Sequence, residues 1–158
     1  MALVTRRVMI LQIGALLLTS ACGRRSAVSR NAAFNPPLYP NETPELRVKI
    51  NKWADHYDVP RDLVHRVVIR ESTHRPEARN GPYYGLMQIH PNTARGMGFQ
   101  GQASDLLNAD TNLEFAVKYL RGAWMVSDGS YDKAVGWYAR GYYYEAKRRG
   151  LLKETGLI

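Results

Sequence analysis

Apolar residues recur at intervals of three and four along one stretch of this chain after another, and no stretch alternates polar and apolar residues with period two. A three-to-four repeat lines apolar side chains along one side of an α-helix, whereas a half-buried strand needs the period-two alternation. The expected fold class is therefore all-α. Leu46, Ile50, Trp53 and Tyr57 place an amphipathic helix over 44–57, starting at Thr43-Pro44. A second covers 59–72, with Pro60 near its first turn and Leu63, Val64, Val67 and Val68 on one side. Residues 91–97 form a short helix closed by Gly98. A longer one starts near Asp110-Thr111, where Thr111 and Glu114 have capping-box spacing, and ends at Asp128-Gly129. Ser130 caps a last helix, with Ala134, Trp137, Tyr138, Tyr142 and Glu145 on one side, that stops at Gly150. Residues 73–90, rich in Gly, Pro, Asn and Tyr, are expected to be irregular.

The N-terminal part has a different character. Arg6 and Arg7 form a basic lead, 8–18 an apolar run, and Thr19-Ser20-Ala21 a small-residue tail. This is the layout of a secretory signal over 1–21, with an apolar run too short for an ordinary membrane-spanning helix. Cys22 is the single cysteine, so no internal disulfide can form. Its position resembles a bacterial lipoprotein cleavage site, where the cysteine becomes the acylated first residue, although Thr19 stands where leucine is usual. An ordinary signal peptide with an incidental cysteine is the alternative. Gly23, rather than aspartate, follows the cysteine, which by analogy implies the outer membrane with the protein facing the periplasm. Residues 22–43 contain Ser, Asn, Arg and several prolines without apolar periodicity, so an extended tether is expected there. The remaining 44–156 suit one small domain.

A formal net charge of +8 favours anionic partners. For an exported chain these are cell-wall polymers and lipid headgroups, and dispersed arginines make nucleic acid an unexpected partner. His56, His65, His74 and His90 are scattered, without a helical metal-binding pair or cysteine partners, so no metal is expected. Residues 96–101 match a dinucleotide fingerprint formally, but no strand precedes them and no helix opens from them, so a flexible turn is expected and no cofactor.

Glu71 falls on the apolar side of its helix, three residues beyond Val68 and four beyond Val67. A carboxyl group aimed inward, at a helix end whose unpaired carbonyls disfavour negative charge, should titrate high, as a general acid must at neutral pH. A glutamate that ends the helix and reaches solvent is the other reading, and this stretch does not choose between them.

Three separated segments do. Glu71-Ser72 ends a helix, Gly85-Leu86-Met87-Gln88-Ile89 follows, and 134–141 contains Tyr138. Between them lies a helix with Asn112-Leu113 through Tyr119-Leu120. In this order the chain resembles the soluble-type (SLT) lytic transglycosylases of the goose-type lysozyme-like group, over about residues 44–145. The resemblance implies a lysozyme-like muramidase helical lobe acting on peptidoglycan at the β-1,4 bond between N-acetylmuramic acid and N-acetylglucosamine. It implies that Glu71 protonates the departing oxygen, then deprotonates the sugar's C6 hydroxyl, giving a 1,6-anhydro product from a single carboxylate. It further implies sugar-binding roles for Ser72, Gly85, Met87 and Gln88, and a hydrogen bond from Tyr138 that orients Glu71. Each has an ordinary alternative: a helix-end hydroxyl for Ser72, a turn for Gly85, a buried structural tyrosine for Tyr138.

The family's Tyr-Asn-x-Gly reads Tyr138-Ala139-Arg140-Gly141 here, which exchanges an amide for a methyl beside a cation. Two other readings therefore stand beside the first: a lysozyme-type hydrolase with Asp105, Asp110 or Asp128 as a second carboxylate, and a peptidoglycan-binding lipoprotein without turnover.

Overall fold

The computed structural model describes residues 34–158, so Cys22, the signal segment and the first part of the expected tether lie outside the described residues. Helix α1, Pro44–His56, begins where Thr43 Oγ1 accepts the Leu46 N–H at 3.2 Å, and it buries Leu46, Ile50 and Ala54. Helix α2, Arg61–Ser72, buries Leu63, Val64, Val67 and Val68. After α2 come two short antiparallel strands, β1 (Arg79–Asn80) and β2 (Tyr83–Tyr84), paired through Arg79–Tyr84 and Asn80–Tyr83. Helix α3, Pro91–Gly96, and a 3-10 turn, Ala103–Leu107, lead into α4, Ala109–Met125. Helices α5, Tyr131–Arg140, and α6, Tyr143–Arg148, complete the order.

Helix α4 is the axis of the fold: α1, α3, α5 and the 3-10 turn all pack on it, while α2 packs on α1. Its Leu113, Ala116, Val117, Leu120 and Ala123 join the buried stripes of α1 and α2, Leu86 and Leu106 in one apolar core. The fold class is all-α, as the periodicity requires, apart from the two-residue strands. None of the described helices is long and apolar enough to cross a membrane.

Three local expectations are corrected. The cap of α4 is Asn108, whose Oδ1 accepts from the N–H groups of Asp110 and Thr111, and not a Thr111–Glu114 box. The expected single helix after Ser130 is two, broken at Gly141, whose φ of 88° leaves the helical region. The break turns Tyr142 into α4, where its hydroxyl donates to the Tyr119 carbonyl at 2.9 Å against Gly122; a Cβ at 122 would strike that phenol.

The third correction concerns residues 34–43, which lie on the domain and do not act as an extended tether over that part. Phe34 stacks on His65 with ring centroids 5.2 Å apart, and Tyr39 stacks on His74 at 5.4 Å. The Glu42 carboxylate is buried and takes a forked pair from Arg47, whose guanidinium also reaches the carbonyls of Pro36 and Pro37. Aromatic stacking and one ion pair hold this segment, which is why no apolar periodicity marks it.

Candidate active site

The last turn of α2 carries Glu71 to the wall of a cleft of about 560 Å³. Opposite it stand Tyr119 of α4 and Tyr138, Ala139, Arg140 and Gly141 at the end of α5, while Asn80, Tyr83, Gln88, His90 and Thr93 contribute from the hairpin side. A second depression of about 460 Å³, lined by Ser72, Arg75, Glu77 and Arg79 among others, shares Glu71, Asn80 and Gln88 with the first. Glu71 thus sits where two hollows meet. Its side chain is 23% exposed, and Arg70 Nε lies 3.5 Å from its Oε1. Burial raises its pKa above the ordinary carboxylate value, and the charge of Arg70 offsets only part of that rise. Among the described residues, Glu71 is the one carboxylate lining the larger cleft.

Among the expected site residues, Gln88 reaches both hollows. Its Nε2 is committed to the carbonyls of Gly85 at 2.8 Å and Ala78 at 3.0 Å, so only Oε1 is left without a partner. Ser72 lines the smaller hollow, but its hydroxyl donates to the Val68 carbonyl at 3.3 Å, the helix-end role. Tyr138 lines the cleft, yet its hydroxyl donates to the Met87 carbonyl at 2.8 Å and not to Glu71. Burial, with the Glu71 charge nearby, holds that phenol well above its usual pKa, so it remains a donor.

Met87 and Gly85 do not face the cleft. Met87 is fully buried in the core, because an apolar side chain at that register points inward while Gln88 points outward. Gly85 has φ of 71°, and a Cβ there would run into the Asn112 side chain and the Leu106 carbonyl. Its lack of a side chain serves packing against α4 and the 3-10 turn.

Asn112 itself was not singled out as a functional residue by sequence reading, although it falls in the Asn-Leu segment of the resemblance. It is fully buried; its Oδ1 accepts from Met87 N at 3.0 Å, and its Nδ2 donates to the carbonyls of Tyr84 at 2.8 Å and Leu106 at 2.9 Å. One amide on the core side of α4 thereby fixes the loop that presents Gln88. Only an apolar helix interrupted by one asparagine could have signalled it.

The three aspartates considered as a second carboxylate, and Glu145, are occupied elsewhere. Asp110 takes Lys49, Lys52 and the Trp53 indole N–H, Asp128 pairs with Arg149 and Lys133, and Asp105 caps its 3-10 turn. Glu145 is bound by Arg148 at 2.7 Å and Arg149 at 2.6 Å. None of these lines either hollow.

A helical lobe with one partly desolvated acid at the junction of a divided cleft defines a small lysozyme-like domain. The chain belongs to the transglycosylase SLT domain family, whose model matches residues 49–152. That family directs the site toward peptidoglycan. Comparison with curated proteins and with solved structures gave no match.

Proposed function

We propose that the protein is a lytic transglycosylase that cleaves the bond between N-acetylmuramic acid and N-acetylglucosamine, with Glu71 as acid and then base. The observation that carries this reading is the position of Glu71, half-buried at the meeting of two hollows and alone among the described carboxylates in the larger one. Glu71 begins protonated and gives its proton to the glycosidic oxygen as the bond from C1 breaks. The carboxylate so formed takes the proton of the C6 hydroxyl of the muramyl sugar, whose oxygen closes on C1. Glu71 ends protonated, one C–O bond is exchanged for another, and no water is consumed. This sequence requires an acid that holds its proton near neutrality, which burial favours. Gln88 lines the cleft with its amide nitrogen engaged and its Oε1 buried, so it shapes the wall that a sugar would meet. The Arg140 guanidinium, 4.1 Å over the Trp137 ring, adds a cation at the rim beside Ala139, which stands where the family has its asparagine.

Digestion of purified sacculi by the wild type and Glu71→Gln, with mass spectrometry of the soluble products, tests the reading. Anhydro ends, one water lighter than reducing ends, are expected from the wild type and none from the variant. A lysozyme-type hydrolysis has one observation in its favour, the presence of Glu77 beside Glu71 in the smaller hollow, and it would give reducing ends instead. Sacculi bound but left intact would identify a binder without turnover. On the same reading Cys22 carries the lipid that anchors the protein to the outer membrane; Cys22→Ala should then move it from the membrane to the soluble fraction.

A further inference from the structure

Two of the four histidines are not scattered in space. His65, in the middle of α2, and His74, three residues beyond Glu71, meet with their Nδ1 and Nε2 atoms 3.3 Å apart, and Glu42 Oε1 lies 3.6 Å from the same His65 nitrogen. All three side chains are buried, and one donor atom from each lies within 4.8 Å of the others. A tetrahedral ion bound by imidazole and carboxylate at about 2.0–2.2 Å sets its ligands about 3.3–3.5 Å apart along each edge. The two separations from His65 Nδ1, 3.3 Å and 3.6 Å, have about that size, and the remaining edge lies within 4.8 Å.

The proton count points the same way. Asn51 Oδ1 lies 3.2 Å from His65 Nε2, which places the His65 proton on that nitrogen. His65 Nδ1 is then a lone pair, facing both His74 Nε2 and a carboxylate oxygen. A proton on His74 Nε2 can serve the nitrogen contact, but the Glu42 oxygen still faces a lone pair. A cation among the three satisfies the atoms that face one another, and leaves the His74 proton on Nδ1, which is buried without a hydrogen-bond partner. Burial depresses the basicity of both imidazoles, His65 to about 4, so both offer neutral nitrogen. Two of the three donors are also held from behind, as metal ligands are: His65 by Asn51, and Glu42 by Arg47 at 2.9 Å on Oε1 and by the Tyr39 N–H at 2.9 Å on Oε2. The Phe34 and Tyr39 rings cover the cluster.

We propose that Glu42, His65 and His74 form a binding site for a divalent transition cation of the zinc type, which clamps residues 34–43 to the helix bearing Glu71. Two nitrogens and one oxygen suit zinc and its neighbours over magnesium or calcium, which take oxygen ligands. The expectation of no metal rested on histidine spacing along the chain, and the fold removes that ground. This proposal is independent of the reaction at Glu71.

Mature protein is stripped with a chelator, dialysed against zinc chloride and then against buffer, and its metal content measured. About one zinc per chain is expected, with a thermal midpoint that rises with zinc concentration and falls with chelator. His65→Gln and His74→Gln should each lose both effects, whereas a His56→Gln/His90→Gln variant keeps them. Cobalt(II) taken up in place of zinc should show the intense visible bands of a tetrahedral site. Should the glutamine variants fail to fold, uptake by the His56/His90 variant and the cobalt spectrum decide. Stripped wild type that takes up no zinc overturns the proposal. So does uptake that survives in His74→Gln or vanishes in the His56/His90 variant.

Discussion

Arg70 and burial pull the proton affinity of Glu71 in opposite directions, and the balance sets the pH range in which an acid is present. Burial is the larger influence, so the pKa stands above the ordinary carboxylate value. Because the folded value is raised, the associated stability is complete at low pH and is lost as pH climbs through that value. Activity requiring protonated Glu71 should therefore decline on the alkaline side. Removing the neighbouring cation in Arg70→Gln takes away a charge that favours the carboxylate, so the pKa should rise further and the alkaline limb move upward. Carboxyl-carbon NMR of residue 71 reads this without substrate; a shift downward would show that Arg70 does not act as its ion-pair partner. Tyr138 offers a second discrimination. Its hydroxyl is held by the Met87 carbonyl, so Tyr138→Phe should lower stability by about 1–2 kcal/mol, the cost of a buried unpaired acceptor, and leave the titration of Glu71 nearly in place. A large change in that titration would restore the direct Tyr138–Glu71 bond expected from the resemblance.

Helices with a continuous buried stripe were readable because burial alone dictates their spacing: the stripes of α1, α2 and α4 can be listed from the sequence. Features decided by a single polar contact were not. The Asn108 cap and the break at Gly141 are local choices that no apolar spacing marks, and the reach of Asn112 depends on partners far along the chain, about which residue order is silent. Glu71 and Gln88 line the cleft, while Met87 and Gly85, expected there from the motif, lie on the side of the loop that packs on the core and α4. Asn112→Ala tests that element directly. It strips partners from one buried N–H and two carbonyls, so a loss of about 3–5 kcal/mol in urea unfolding is expected, together with reduced turnover from a displaced Gln88. Gly122→Ala tests the junction of α4 with Tyr142. The added methyl meets the phenol, so a destabilisation of about 1–3 kcal/mol is expected, less in a Tyr142→Phe background, where part of the collision is gone. Equal costs in the two backgrounds would mean that the methyl is accommodated elsewhere.

On the scale of the molecule, residues 34–43 connect the N-terminal part of the chain to the end of the helix that carries Glu71. Asn41 Nδ2 donates to the Thr73 carbonyl at 3.0 Å, and Thr73 and His74 both hold positive φ, 51° and 59°. Two successive non-glycine residues in that region cost on the order of 1–3 kcal/mol each and persist only where surrounding contacts impose them. Phe34, Tyr39 and Glu42 supply such contacts from one side, and the core supplies the other. A chain beginning at residue 43 keeps every described helix and the Thr43 cap but uncovers His65 and His74. If 44–156 were a self-sufficient domain, this truncation would melt with the longer protein. The packing argues for a loss of about 2–3 kcal/mol, from exposed ring surface and released hydrogen bonds. At about 3–6 °C per kcal/mol for a domain between the small and large size classes, calorimetry should find the midpoint about 6 °C or more lower. The truncated chain should also exchange the amides at the end of α2 faster than those of α4, because the strained turn has lost its outer support while the core of α4 has not. Unchanged melting and exchange would mean that the core alone holds Thr73 and His74 in place, and that residues 34–43 rest on the domain without supporting it.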